Sequence, residues 1–457
     1  MSVYRWKICA LLFFATTLNY MDRQVLALLK PTLQDPVRGI GLTEVQFAAI
    51  VSIFSAAYAI GLLLAGRLVD RVGTRVGYAA ALTVWTVASI SHSLIALPAV
   101  TGPLHSLMAA LTGLLQHLPV LGSAHWVIAM RDLPGAVVGF GLVRFVLGFG
   151  EAGNFPAAIK AVAEWFPSKE RALATGIFNS GTNIGATLAP FTVGFLLYRL
   201  GWRYAFLTTS GFALIWLVLW LTMYRRPAER SGVSAAELAY INQDPAPRVG
   251  TKLAWSQLLP HRQTWAFLLG KVFTDPIWWF YLYWLPGFLH GRFGLTLTAM
   301  GLPLLVVYNA CTIGSVAGGW LPAHLIARGW TVNRARKSAM LLYALLVTPI
   351  MLVGRTHSVW PAIALIGLAT SAHQAWSANL FTLVSDMFPR RAVASVVGIG
   401  ACGGSVSMMF FGLLIGFVLT LTHGNYMPVF VMAGLAYLVA IATIHLLVPR
   451  LESIAIE

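Results

Sequence analysis

From one end to the other the chain alternates long apolar runs with short polar ones, and this alternation limits its possible folds more than any other feature. Runs of spanning length lie near residues 6–29, 44–66, 76–97, 135–158, 171–198, 204–224, 264–289, 299–326, 337–354, 359–386, 393–421 and 427–448. About 20 predominantly apolar residues, coiled so that each backbone amide and carbonyl bonds within the segment, cross a hydrocarbon core. An all-α membrane protein of twelve transmembrane helices is predicted. Only 10% of the 457 residues are charged, against roughly 25% in soluble domains. The bilayer is therefore the expected surrounding, and twelve spans with short loops leave little room for a separate soluble domain.

A net charge of +16 would suit a nucleic-acid binder if it were gathered on one surface. Instead, roughly two thirds of the 31 lysines and arginines fall in loops on one side of the predicted spans, including Arg5, Lys7, Arg71, Arg75, Arg225, Arg226, Arg334 and Lys337. That asymmetry predicts both termini in the cytoplasm, a multi-pass chain in the cell inner (plasma) membrane, and no nucleic-acid partner. Arg5-Trp6-Lys7 ahead of an apolar run resembles a signal peptide, but no small-residue cleavage site follows, so it is read as the first span. Cys9, Cys311 and Cys402 each stand inside an apolar run with no paired or metal-ligand spacing. They are read as packing residues, and no cofactor or metal is expected.

Arg225, Arg226, Pro227, Arg230, Pro245, Pro247 and Arg248 interrupt the pattern. They divide the chain into an N-terminal six-helix half at 1–224, a cytoplasmic linker at 225–262 and a C-terminal six-helix half at 263–457. The halves repeat: a shift of 222 residues aligns Phe166-Pro167 with Phe388-Pro389, Ala172 with Ala394, Gly176-Ile177 with Gly398-Ile399 and Gly181 with Gly403. Parallel six-helix repeats place a substrate site near mid-membrane where they meet, and a monomer is expected to suffice. Residues 98–134 form an unusually long insertion between spans three and four. Pro98, Pro103, Pro119, His105 and His117 argue against a thirteenth span, so an amphipathic excursion on the outer face is expected.

Between spans two and three stands Gly66-Arg67-Leu68-Val69-Asp70-Arg71-Val72-Gly73-Thr74-Arg75. Gly66 and Gly73 suit close approach and a tight turn, and Asp70 can meet the positive N-terminus of a neighbouring helix. Gly66, Asp70, Arg71, Gly73 and Arg75 are accordingly expected to form a cytoplasmic gate. The corresponding loop after span eight, Gly318 to His324, lacks the acid.

Charges inside spans cost roughly 2.5–3.5 kcal/mol each at a helix centre and mark functional sites. Span one carries Asn19-Tyr20-Met21-Asp22-Arg23-Gln24. Span four carries Arg144 and Glu151, two turns apart on one face, among Gly148, Gly150 and Gly153 and ahead of Pro156. Structural salt bridging is the alternative to a functional role.

The loop at 66–75 resembles the signature of the major facilitator superfamily. Asn19 to Gln24, Gly148 to Pro156, Glu164-Trp165-Phe166-Pro167 and Thr175 to Gly181 resemble the anion:cation symporters within it. Ala57 to Gly61, Asp275 to Tyr281 and Asn333 to Lys337 are most similar to bacterial hexuronate transporters. The resemblance implies the major facilitator fold and proton-coupled uptake of an organic anion, most simply galacturonate or glucuronate. Galactonate, glucarate or a small carboxylate are alternative cargoes, and a transporter-fold receptor that moves nothing is the alternative class. It further implies that Asp22 and Glu151 are the proton-coupling pair, that Arg23 and Arg144 meet the substrate carboxylate, and that Tyr20, Tyr58 and Trp376 contact the sugar acid. The span-seven arginine of vesicular relatives is replaced here by Pro276, which weakens a vesicular glutamate-type role. On this basis Glu151 switches according to whether Arg144 engages it or a bound carboxylate.

Further candidates come from the residues themselves. Asn179, Thr182 and Asn183 fall within one turn of span five and suit sugar hydroxyls or helix packing. Trp279, in an aromatic run with Trp278, Tyr281, Tyr283 and Trp284, suits a sugar ring or an interfacial belt. Lys271 and Asp275 are spaced to pair with each other. His373, Gln374 and Asn379 offer polar groups near Trp376, and His373 is either proton-sensitive or a buried, hydrogen-bonded histidine. No hydrolase, phosphate-loop or metalloprotease motif is present, and an enzyme is not expected.

Overall fold

In the computed structural model, residues 4–116, 133–243, 255–388, 390–452 and 454 are described, and all their regular elements are helical. Helices α1 (Tyr4–Gln34), α2 (Glu44–Val72) and α3 (Thr74–Leu94) are joined by short turns. Then come α4 (Pro98–Gln116), the pair α5 (Gly135–Glu151) and α6 (Asn154–Trp165), α7 (Ser168–Leu200) and α8 (Trp202–Met223). Short helices α9 (Ala235–Ile241) and α10 (Trp255–Leu258) precede the second half. That half comprises α11 (Arg262–Tyr283) continued by α12 (Leu285–Phe293), α13 (Gly301–Ala327), and α14 (Val332–Val347) continued by a 3₁₀ segment to Arg355. It ends with α15 (Val359–Met387), α16 (Arg390–Leu421) and α17 (Met427–Leu447).

With α5–α6, α11–α12 and α14 with its 3₁₀ extension each read as one traverse, and α4 set aside, the described helices make twelve traverses. Seven are long and apolar enough to cross a bilayer on length and hydropathy alone. Of the other five, α1, α3, α11 and α15 carry most of the buried polar side chains, while α7 contributes none among the described residues.

The internal repeat has a structural counterpart. Phe166 ends α6 with φ −125° and ψ 135° and bonds back to the Val162 carbonyl, while Phe388 ends α15 with φ −123° and ψ 144° and bonds back to the Val384 carbonyl. The proline after each phenylalanine disfavours helical backbone at the residue before it, so the same dipeptide stops both helices in the same way.

The halves meet most closely from mid-bundle to the end opposite the termini. Ser52 of α2 donates to the Met409 carbonyl of α16 (2.8 Å), and Gln24 of α1 donates to the Tyr308 hydroxyl of α13 (3.1 Å). At the far end Lys30, 1% exposed, donates to Glu44 (2.8 Å) and across the seam to the Tyr426 hydroxyl (3.2 Å), with its ammonium 5.1 Å from the centre of the Phe47 ring. A buried ammonium held by a carboxylate, a phenol and a ring face is well compensated, and it latches that end.

Contact across the seam differs along its length. A Cβ built on Gly416 would lie 2.4 Å from Ala48, and one built on Gly412 would lie 2.9 Å from Ser52, so α2 and α16 touch there. Extending the same antiparallel register sets Gly66 opposite Gly398, yet a Cβ on either meets nothing within 4 Å among the described residues. The glycines near the latch are filled in by the partner helix, and those near the termini are not.

Candidate functional site

Arg23, from the middle of α1, and Glu151, from the last turn of α5, form an ion pair with Nε 2.5 Å from Oε2 and side chains 3% and 0% exposed. Four rings surround the guanidinium: Tyr58 at 4.6 Å, Tyr20 at 5.0 Å, Trp279 at 5.1 Å and Phe54 at 5.6 Å. Trp279 belongs to α11 and the other three rings to the first half, so the pair sits on the seam. Gly148 makes this possible, because a Cβ there would lie 2.5 Å from the Phe54 carbonyl oxygen and hold α2 away. After Glu151 the helix breaks at Ala152–Gly153 and resumes at Asn154. Pro156, which has no N–H for the Ala152 carbonyl, falls in the first turn of α6, where that loss costs least.

Arg144 is fully buried, with its guanidinium carbon 5.8 Å from the centre of the Phe54 ring. Its Nε, Nη1 and Nη2 have no hydrogen-bond acceptor among the described residues. Tyr283, Glu151, Asp22 and Arg23 all lie within electrostatic reach of it. Asp22 turns away from Arg23 toward α3, where its carboxylate accepts from Trp85 Nε1 (2.5 Å) and lies 3.4 Å from Ser89 Oγ. Two cations and two carboxyls are thus buried together, and they balance when both carboxyls are ionised. Arg23 Nη2, Glu151 Oε1 and the Tyr283 hydroxyl also lack partners among the described residues. A cluster of this kind holds polar groups ready for a polar solute that can satisfy them.

The sequence suggests that Glu151 pairs with Arg144, but its partner is Arg23 from another helix. Seven residues along a helix return to the same face yet rise about 10 Å, more than the two side chains readily span. Tyr283 enters from sequence only as one of the span-seven aromatic run, with no place beside the charges. It stacks on Trp279 (5.7 Å, 10°) and lies within electrostatic reach of Arg144, Arg23, Glu151 and Tyr20. Its spacing of four from Trp279 was the available signal.

The second-half candidates are spread along their helices. His373 stacks on Trp278 (5.1 Å, 6°) and shares a 2.5 Å hydrogen bond with Tyr437, the buried, hydrogen-bonded arrangement. Trp376, fully buried, meets Tyr437 edge-on at 5.5 Å, and Gln374 is half-buried. Asn379 is committed elsewhere: its amide donates to the Gly318 carbonyl (2.6 Å) and the Ala375 carbonyl (2.9 Å), and its oxygen accepts from Arg336 (3.4 Å). On α7, Asn179 is exposed and Thr182 and Asn183 are half-buried. Lys271 and Asp275 pair with each other at 2.7 Å.

Of the gate residues, Gly73 adopts φ +84°, which favours glycine, and there α2 ends and α3 begins. Arg75 donates to the Leu221 carbonyl of α8, and Arg71 is exposed. The Asp70 side chain lies outside the described residues. The open space at Gly66 does not fit the close approach expected of it.

A crevice too narrow to hold a water molecule, lined by Phe54, Ser55, Tyr58, Trp279, Ser405 and Met408, adjoins the cluster on the seam. A larger cavity bordered by Phe288, Arg292, His423 and Tyr426 lies at the latched end, away from the buried charges.

The family profile of the Major Facilitator Superfamily matches residues 12–381. The hexuronate transporter of Escherichia coli (strain K12) is 29% identical over 418 residues, covering 90% of this chain and 87% of that one. A galacturonate transporter of Dickeya chrysanthemi is 30% identical over 367 residues, 79% of this chain and 94% of its own. A probable galactarate/D-glucarate transporter of Escherichia coli (strain K12) is 28% identical over 459 residues, 96% and 95% of the two chains. Among solved structures, a D-xylose-proton symporter superposes with a TM-score of 0.72 at 16% identity, covering 98% of this chain and 99% of that one.

Proposed function

The chain belongs to the major facilitator superfamily and is a multi-pass membrane transporter rather than an enzyme, and from that premise we propose that it takes up a hexuronate such as galacturonate or glucuronate together with a proton. The observation that carries this reading is Arg144, a buried guanidinium without an acceptor among the described residues, beside an Arg23–Glu151 pair that a proton can open. A substrate carboxylate supplies the acceptor that Arg144 lacks. It also adds a negative charge to a balanced cluster, and a proton on Glu151 restores the balance and frees Arg23 for the same carboxylate. Tyr20, Tyr58, Trp279 and Tyr283 then offer ring faces and hydroxyls to the sugar.

With the termini in the cytoplasm, the seam described above is latched outside by Lys30, Glu44 and Tyr426 and leaves space beside Gly66 and Gly398 inside. Release of proton and acid inward would re-form the Arg23–Glu151 pair. The empty carrier then has no exposed charge to hold it, and the halves rock back. Asp22 is the second protonatable group, set against Arg144 from the α3 side.

The relatives named for galactarate and glucarate raise a diacid as a second reading. A diacid needs a second cation at the far end of the pocket, and Lys271 of the second half is already neutralised by Asp275 at 2.7 Å. A monocarboxylate fits better.

Thermal unfolding of the purified protein over a panel of sugars tests the choice. At saturating concentration galacturonate is expected to raise Tm by about 2–5 °C. Galactose, the same ring without the carboxylate, should give no shift, and glucarate a smaller one. Equal stabilisation by galactose would remove the basis for an anion carrier.

A further inference from the structure

Helix α4 does not continue the line of α3. The two are bent by 101° across a break of at most four residues that ends at Pro98. Because α3 crosses the membrane, a helix at a right angle to it runs parallel to the membrane plane. Its 19 residues extend about 28 Å. It carries no lysine, arginine, aspartate or glutamate.

Its residues fall on three faces. Met108 and Thr112 are buried, and α4 packs on the start of α5, where a Cβ on Gly135 would lie 2.0 Å from the Thr101 carbonyl oxygen and one on Gly139 3.0 Å from Leu104. Leu107, Leu111 and Leu114 are 51%, 45% and 67% exposed and lie within about 60° of one another on the helix. Gly102 and Ser106, also exposed, sit on a third face. The packed face and the Gly102–Ser106 face lie about 100° and about 130° from the leucines, on opposite sides. A helix lying at a bilayer surface needs this arrangement: protein on one flank, acyl chains on another and water on the third. The neighbouring spans also expose apolar side chains, among them Val87 and Leu94 of α3 and Leu142 and Phe145 of α5, as lipid-facing surfaces do.

We propose that α4 lies in the membrane plane at the end of the bundle opposite the termini, with Leu107, Leu111 and Leu114 inserted among lipid acyl chains. The partner is the hydrocarbon edge of the adjoining leaflet. Since α4 is seated on α5, the helix that carries Arg144 and Glu151 is tied at that end to the level of the lipid surface. This inference does not depend on the cargo or on proton coupling.

Spin labels distinguish the possibilities. Leu107→Cys, Leu111→Cys, Leu114→Cys, Gly102→Cys and Ser106→Cys would each be made in the full chain with Cys402→Ala, Cys9 and Cys311 being buried. Each would be labelled and reconstituted in phosphatidylcholine–phosphatidylglycerol vesicles, and its collisions with oxygen, which concentrates in acyl chains, compared with those of a water-soluble nickel chelate. At the three leucine positions oxygen contact should exceed chelate contact several-fold, with the reverse at 102 and 106. Chelate contact as high at the leucines as at Ser106 would place that face in water. Protection from both reagents would mean that protein covers it, either another part of this chain or a second copy. Either result overturns the proposal, and because five positions report independently, one misfolded variant leaves the answer intact.

Discussion

Replacing Arg144 by glutamine is expected to weaken galacturonate binding at least about 30-fold without lowering the thermal stability of the empty protein. Truncating one partner of a buried charge pair costs about 2–5 kcal/mol of binding, and each 1.4 kcal/mol is about tenfold in affinity. In the empty protein the same group is a buried cation with no acceptor among the described residues. Removing it costs the empty protein no hydrogen bond to a described residue, and a proton taken up by Asp22 or Glu151 can keep the cluster neutral, so Tm should change little. Lysine should restore only part of the affinity, since a point charge cannot form the two parallel bonds of a guanidinium to a carboxylate. Affinity can be read from the substrate dependence of uptake and from thermal shift. Full affinity in Arg144→Gln, or a large loss of Tm without ligand, would remove Arg144 from the proposed role.

Glu151→Gln should separate two activities that the native protein performs together. Glutamine resembles a permanently protonated Glu151. Arg23 loses its anionic partner, which in the native protein lies 2.5 Å away, and stays available to a substrate carboxylate. Exchange of labelled for unlabelled galacturonate across loaded vesicles should therefore persist within a few-fold of native. Net accumulation driven by a pH gradient should fall at least about tenfold. The empty carrier must return with Arg23 buried and unpaired, and breaking such a pair costs about 3–5 kcal/mol. Unimpaired gradient-driven accumulation by Glu151→Gln would mean that the coupling proton travels elsewhere.

Much of the architecture could be read from the sequence because its determinants are local. A run of apolar residues fixes a membrane helix whatever its neighbours are, and Phe-Pro ends α6 and α15 alike because the constraint sits in one dipeptide. Lys271 and Asp275 pair as their spacing of four suggests, since helix geometry alone brings them together. The site was legible as a set of residue types and only partly as a set of contacts. That Arg23 rather than Arg144 meets Glu151 depends on how α1 crosses α5, and a single sequence does not specify a crossing. Gly148 and Gly66 read alike as glycines in spans, yet one lies against the Phe54 carbonyl and the other faces open space. Asn379 looked available because its two carbonyl partners, at Gly318 and Ala375, carry no side-chain signature. Tyr283 reads from sequence as one member of an aromatic run, and only the fold brings its hydroxyl near the charged cluster.

The account stands on a proton and a sugar acid moving together through one cluster of buried charge. Uptake of labelled galacturonate into vesicles containing only this protein, with the outside more acidic than the inside, addresses that directly. The acid should rise transiently above its outside concentration, should do so only while the gradient lasts, and should fall to simple equilibration when a protonophore is added. Accumulation that ignores the gradient, or equilibration alone in its presence, would contradict coupled transport.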